Sequence, residues 1–226
     1  MKKRLGYLTQ RLAVVLMILL AILMNVLVTK AVMIFTPDST VTAEASRINK
    51  IYFIALGVLM IPALWKTPLT VRWAALKTGN RKAFCREMLE VAGISLVLII
   101  GMVVYRLILN HQNPEIASRP WFGLYLGIHG RWFYPFSAVI QEFAIKAIVQ
   151  ENIRCLAPDS NRHLTAAMTG IFFAILHMNY PLYYLMGAGL LCFGTAYLYE
   201  RDENIWGSVL IHFVIGFMPR AIGLKI

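Results

Sequence analysis

Residues 12–29 carry no charged side chain, and after a single Lys30 the apolar character continues to Phe35. At a rise of about 1.5 Å per residue, a helix over that run is long enough to cross the roughly 30 Å hydrocarbon core of a bilayer. The run follows Met1-Lys2-Lys3-Arg4, and Ala43-Glu44-Ala45 resembles a signal-peptidase site. A cleaved signal, however, has an apolar region of only about 7–15 residues. An uncleaved anchor is expected, with Lys30 snorkelling towards the interface. Composition agrees: 59% of the 226 residues are hydrophobic and 15% charged, with mean hydropathy +0.65, against about 45–50% and about 25% in soluble domains. Disorder, coiled coil, collagen and a disulfide-stapled scaffold are excluded, and the length suits one bundle of six to eight crossings.

The formal charge is +11, but the basic residues lie between apolar runs, so they set topology and attract anionic headgroups. Membrane lipid is the expected partner, and nucleic acid is not. Further spans are expected at 51–65, 89–109, 132–150, 164–178, 182–198 and 205–218. Segment 121–129 is apolar but too short to cross, giving seven or eight spans. Residues 66–86 carry Lys66, Arg72, Lys77, Arg81, Lys82 and Arg86 without an acidic residue. The positive-inside rule puts them and the N-terminus on the cytoplasmic side of a cell membrane, and 36–49 outside. The runs are continuous rather than alternating, which predicts an all-α transmembrane bundle and not a β-barrel. It divides into helices and a basic loop over 1–120 and a polar-residue-bearing core over 121–226. Cys85, Cys155 and Cys192 form no CxxC and read as packing residues.

Ionisable residues inside a membrane cost about 2.5–3.5 kcal/mol each on insertion scales and so mark function. Gln141-Glu142 and Lys146 lie within the fourth span. Glu142, Lys146 and Gln150, four apart, share one face of an α-helix. Glu142 and Lys146 therefore form either an intrahelical ion pair that eases insertion or a carboxylate held ionised for chemistry. His177 ends the fifth span and His212 lies in the last, with Gly216 one turn on; each histidine alone reads equally as a hydrogen-bonded structural residue. Together, one carboxylate and two imidazoles on three helices are the minimum set for activating a water and stabilising an oxyanion.

These residues resemble the motifs of the CPBP family, the CAAX-processing and bacteriocin-processing intramembrane proteases also called Abi proteins. Gln141-Glu142-x-x-x-Lys146 stands for EExxxR, Phe173-x-x-x-His177 for FxxxH, and His212-x-x-x-Gly216 for HxxxN. The resemblance covers about 132–218. It departs at Gln141, which orients but does not deprotonate water, at Lys146, which lacks the arginine fork, and at Gly216, which removes a donor. It implies an intramembrane endopeptidase acting on a prenylated, bacteriocin-like or other membrane peptide. In that reading Glu142 is the general base, Gln141 positions water, His177 shares it, His212 donates to the oxyanion and Lys146 keeps Glu142 ionised. The departures equally suit a catalytically silent relative serving as scaffold, immunity factor or regulator. A proton-relaying transporter is a third reading, weakened by the lack of an internal repeat. Two histidines and a carboxylate could hold zinc, but no HExxH occurs, and the cofactor question stays open.

Overall fold

A computed structural model describes residues 2–121, 134–156 and 161–224, with side chains from Thr9 onward. Among the described residues every regular element is helical: α1 (Lys2–Phe35), α2 (Val41–Lys66), a 3-10 turn (Trp73–Leu76), α3 (Arg81–Gln112), α4 (Pro114–Ala117), α5 (Tyr134–Glu142), a π-helix (Phe143–Gln150), α6 (Glu151–Ile153), α7 (Arg162–Ile175), α8 (Leu182–Asp202) and α9 (Trp206–Ala221). The protein is an all-α transmembrane bundle. Among the described residues four helices have the length and apolarity to cross a membrane: Thr9–Phe35, Val41–Lys66, Arg81–Gln112 and Leu182–Asp202. The helical run 134–153, α7 and α9 correspond to the remaining expected spans. Segment 121–129 lies, but for Trp121, outside the described residues.

The chain forms two compact units. One comprises Met1–Arg72 with Ile145–Glu200, the other Trp73–Ala144 with Arg201–Ile226. In the first unit α1 buries Val14, Met17, Ala21, Asn25, Val28 and Val32, a stripe at spacings of three and four, as one helix face requires. Its other face exposes Leu12, Leu16, Leu19, Leu23 and Leu27. A helix apolar all round is one whose outer face meets lipid. The core also takes Ile48 and Tyr52 from α2, Ile145, Val149 and Ile153, Phe172 and Phe173 from α7, and Cys192 from α8. α7 and α8 cross closely at Gly170, where a Cβ would lie 2.8 Å from the Gly189 carbonyl oxygen, the small-residue contact typical of membrane helices.

α2 begins at Val41, well before residue 51, because the Thr40 hydroxyl accepts from the Ala43 N–H and starts the helix. Most of the expected external segment 36–49 is therefore helical. The π-helix has its causes in the stretch of chain packed beside it. Between residues 67 and 72 the chain runs beside it, and the Arg72 N–H donates to the Ala147 carbonyl at 2.9 Å. The buried Asn152 amide donates to Ile148 O at 2.6 Å and to Thr70 O at 2.8 Å. Carbonyls with partners outside the i→i+4 ladder permit the wider turn, and π-turns gather at functional positions.

In the second unit α3 packs on α9, with Glu87 and Val91 against Gly207. Asn80 caps α3 by accepting from Lys82 N and Ala83 N. Arg106, fully buried, donates to the carbonyls of Gly223 and Arg119 and lies 5.3 Å from the Trp121 ring. It is a cation at the C-terminal end of α9, where a helix leaves carbonyls without intrahelical partners and its dipole is negative.

Candidate functional site

α5 carries Glu142 as its final residue, and α9 presents His212 to it within the second unit. Both side chains are withdrawn from solvent, Glu142 at 4% and His212 at 9% exposure. The His212 Nδ1 lies 2.7 Å from the Glu142 Oε1. With the carboxylate ionised it only accepts hydrogen bonds, and Nδ1 then carries the proton of a neutral ring. Two of the residues singled out from the sequence, 70 positions apart, thus form one hydrogen-bonded pair. A carboxylate that fixes the tautomer of an imidazole and stabilises its protonated form is the orienting arrangement of acid–base catalysis.

Around this pair α5 and α9 pack through aromatic rings. Tyr134 stands edge-on to the His212 ring, with centroids 6.3 Å apart, and 6.2 Å from Phe213. Its hydroxyl donates to the His212 carbonyl at 3.4 Å. Gly216 lies beneath it. Gln141, one residue before Glu142, donates its amide to Ser137 Oγ at 2.8 Å, one turn back along α5.

His177 and Lys146 belong to the first unit. His177 follows the last turn of α7, and its Nδ1–H donates to the Phe173 carbonyl at 2.9 Å. That bond gives FxxxH a local geometry: residue 173 supplies the carbonyl that sets the tautomer four residues later, and its ring packs 4.6 Å from the imidazole. Phe53, Tyr180 and Tyr184 complete an aromatic wall at 6.0–6.1 Å. Lys146 is fully buried in the π-helix and donates to Thr195 Oγ1 at 3.0 Å, Cys192 O at 3.3 Å and Cys192 Sγ at 3.4 Å, all on α8. Gln150, expected on the same face, is buried against α8 as well, donating to Ala196 O and Glu200 Oε1.

The sequence reading missed Tyr134. Its only trace is the missing side-chain volume at Gly216, which some other residue has to fill. It also missed the network at the end of the 134–153 run. There Glu151 pairs with Arg72 and Arg154, each at 3.2 Å, and accepts from Tyr199 at 2.7 Å, while Glu200 pairs with Arg154 at 3.1 Å. Ordinary loop charges gave no signal that they were partners.

For a metal, the donors in the second unit's site are one carboxylate and one imidazole already bonded to each other, whereas catalytic zinc uses about three protein ligands. Among the described residues no group of three His, Cys, Asp or Glu is arranged to hold a metal ion.

Residues 128–218 match the family model of the type II CAAX prenyl endopeptidase Rce1-like proteins. This segment is similar to the Rce1-like proteins of the CPBP family. The match contains all three motif segments, at 141–146, 173–177 and 212–216, together with α7, α8 and most of α9. No curated protein and no solved structure matches the chain. The match supports the CAAX-type intramembrane protease kind, and the Glu142–His212 pair lies inside the matched segment.

Proposed function

We propose that the protein is an intramembrane endopeptidase that hydrolyses a peptide bond in a C-terminally prenylated peptide, with Glu142 and His212 acting as one proton-transfer unit. The observation that carries this reading is the 2.7 Å bond between Glu142 Oε1 and His212 Nδ1. With Nδ1–H held by the carboxylate, Nε2 takes a proton from water, and Glu142 stabilises the imidazolium so formed. The resulting hydroxide attacks the carbonyl carbon, and the imidazolium returns its proton to the leaving amine. The base function expected of Glu142 alone thereby passes to the pair, and His212 enters this proposal as part of the base in place of the oxyanion donor that the motif resemblance implies. Burial strengthens each of these electrostatic contacts by keeping water out of them.

The remaining site residues enter from the motif resemblance: His177 as a second ligand of the attacking water, Lys146 as the cation of the first motif and Gln141 as a water-positioning amide. Prenylated peptide is preferred over a bacteriocin-like one because the matching family model is that of the prenyl endopeptidases. The location proposed is a cell membrane with the N-terminus cytoplasmic.

Purified protein in lipid nanodiscs, incubated with a farnesylated C-a-a-X peptide and followed by mass spectrometry, is expected to yield the shortened peptide. Glu142→Ala and His177→Ala are expected to lower the rate at least a hundredfold. Equal product from all three forms would end the protease reading. A catalytically silent relative is the second reading, favoured by the engagement of the Gln141 amide with Ser137, and it predicts no product from any form.

A further inference from the structure

The last motif has glycine where its resemblance to HxxxN expects a side chain, and the structure fills that place from another helix. A Cβ built on Gly216 would coincide with the Tyr134 hydroxyl oxygen and overlap its Cζ, with Cε1 at 3.0 Å. The phenol thus stands where a residue-216 side chain would, one helical turn from His212 and edge-on to its ring. Tyr134 begins α5, which ends at Glu142, so a single helix brings both the carboxylate and the hydroxyl to α9.

The proton arrangement gives this hydroxyl a task. While Nδ1–H of His212 is held by Glu142, the neutral ring presents a lone pair at Nε2 and has no second N–H to offer. A carbonyl under attack by hydroxide builds negative charge on its oxygen, and that charge needs a donor other than the base. We infer that the Tyr134 hydroxyl is the oxyanion donor of this site, replacing in space and in function the side chain absent at Gly216. Its bond to the His212 carbonyl, at 3.4 Å, is at the weak end of O–H···O geometry, and a hydroxyl hydrogen turns to suit its acceptor. The hydroxyl hydrogen can therefore turn from that carbonyl to a substrate oxyanion. No proton leaves the phenol: it donates a hydrogen bond as the tetrahedral intermediate forms, and the electron pair returns to the C–O bond when the amine departs. This inference rests on the protease reading above.

The test uses full-length protein in nanodiscs with the farnesylated peptide. Tyr134→Phe keeps the ring and its packing and removes only the hydroxyl. It is expected to lower kcat about 10²- to 10³-fold, with KM and thermal midpoint unchanged. Gly216→Asn alone is expected to inactivate, because the new side chain collides with the phenol. The double variant Tyr134→Ala with Gly216→Asn, which returns a donor to position 216, is expected to exceed Tyr134→Ala at least tenfold in kcat. A residue that only fills space would leave kcat of Tyr134→Phe at the wild-type value, and that result overturns the inference while the protease reading stands. Wild-type protein that leaves the peptide intact overturns both.

Discussion

At the residue scale, burial decides what each polar group is able to do. Glu142 meets the cost of leaving water through His212, and Lys146 meets it through Thr195 and Cys192. Neither arrangement tolerates loss of one partner well, because a buried charge is then left behind. Thr195→Val removes one of the ammonium's acceptors and is expected to cost about 1–3 kcal/mol, read as a lower midpoint in detergent melts. Gln141 behaves differently. Its amide is held by Ser137 along the same helix, so Gln141→Leu is expected to lose about 1 kcal/mol of stability and, as the water-positioning amide of the proposed site, at least tenfold in kcat. An unchanged kcat would remove Gln141 from that role.

At the scale of elements, the last helix is held by what lies at its ends. Arg106 supplies donors to the carbonyls of Gly223 and Arg119 from a fully buried position on α3. Arg106→Met leaves the buried Gly223 carbonyl only its long bond from Arg119 Nη1, at 3.5 Å, and is expected to cost about 1–3 kcal/mol. Arg106→Lys, without the fork that reaches both, recovers only part. Equal melting midpoints for all three forms would remove Arg106 from this role. At the α7–α8 crossing the neighbour of Gly170 is a backbone oxygen that cannot swing away. Gly170→Val is expected to abolish recovery of folded protein from membranes, whereas an exposed control, Gly187→Val, is expected to have little effect.

The helices themselves were largely legible beforehand. A period of three to four over an uncharged run is the same signal whether read in letters or seen as the buried stripe of α1. The start of α2 was not legible from apolar length, because it is set by the Thr40 cap and by a face, Ala45, Ile48, Asn49 and Tyr52, whose flanking charges disguised it. The π-helix was also invisible, since the Arg72 amide and the Thr70 carbonyl that engage it and Asn152 lie in a distant stretch of sequence that no local window contains. For the site, residue types at motif spacing pointed to Glu142 and His212 individually. Their pairing and the arrival of Tyr134 over Gly216 are products of how α5 meets α9, which spacing alone does not encode.

For the whole molecule, charge distribution and membrane topology make a joint prediction. Cys85 is exposed near the start of α3, while Cys155 and Cys192 are buried. Burial pushes the Cys155 thiol up, and the nearby Arg11 only partly offsets this, so at neutral pH it remains a protonated, poorly reactive group. A membrane-impermeant maleimide is therefore expected to label Cys85 alone, and only after the membrane is opened, if the basic segment 66–86 faces the cytoplasm. Labelling in intact cells would reverse the proposed orientation. The chemistry proposed for the Rce1-like segment is tested most directly by a double-mutant cycle on its carboxylate–imidazole pair. Turnover of the farnesylated peptide would be measured for wild type, Glu142→Gln, His212→Gln and the double variant. If the two groups work as one unit, each single change costs at least a thousandfold and the double variant is no slower than the worse single. Independent, multiplying losses, or turnover in any of the three variants close to wild type, would contradict the shared role of Glu142 and His212.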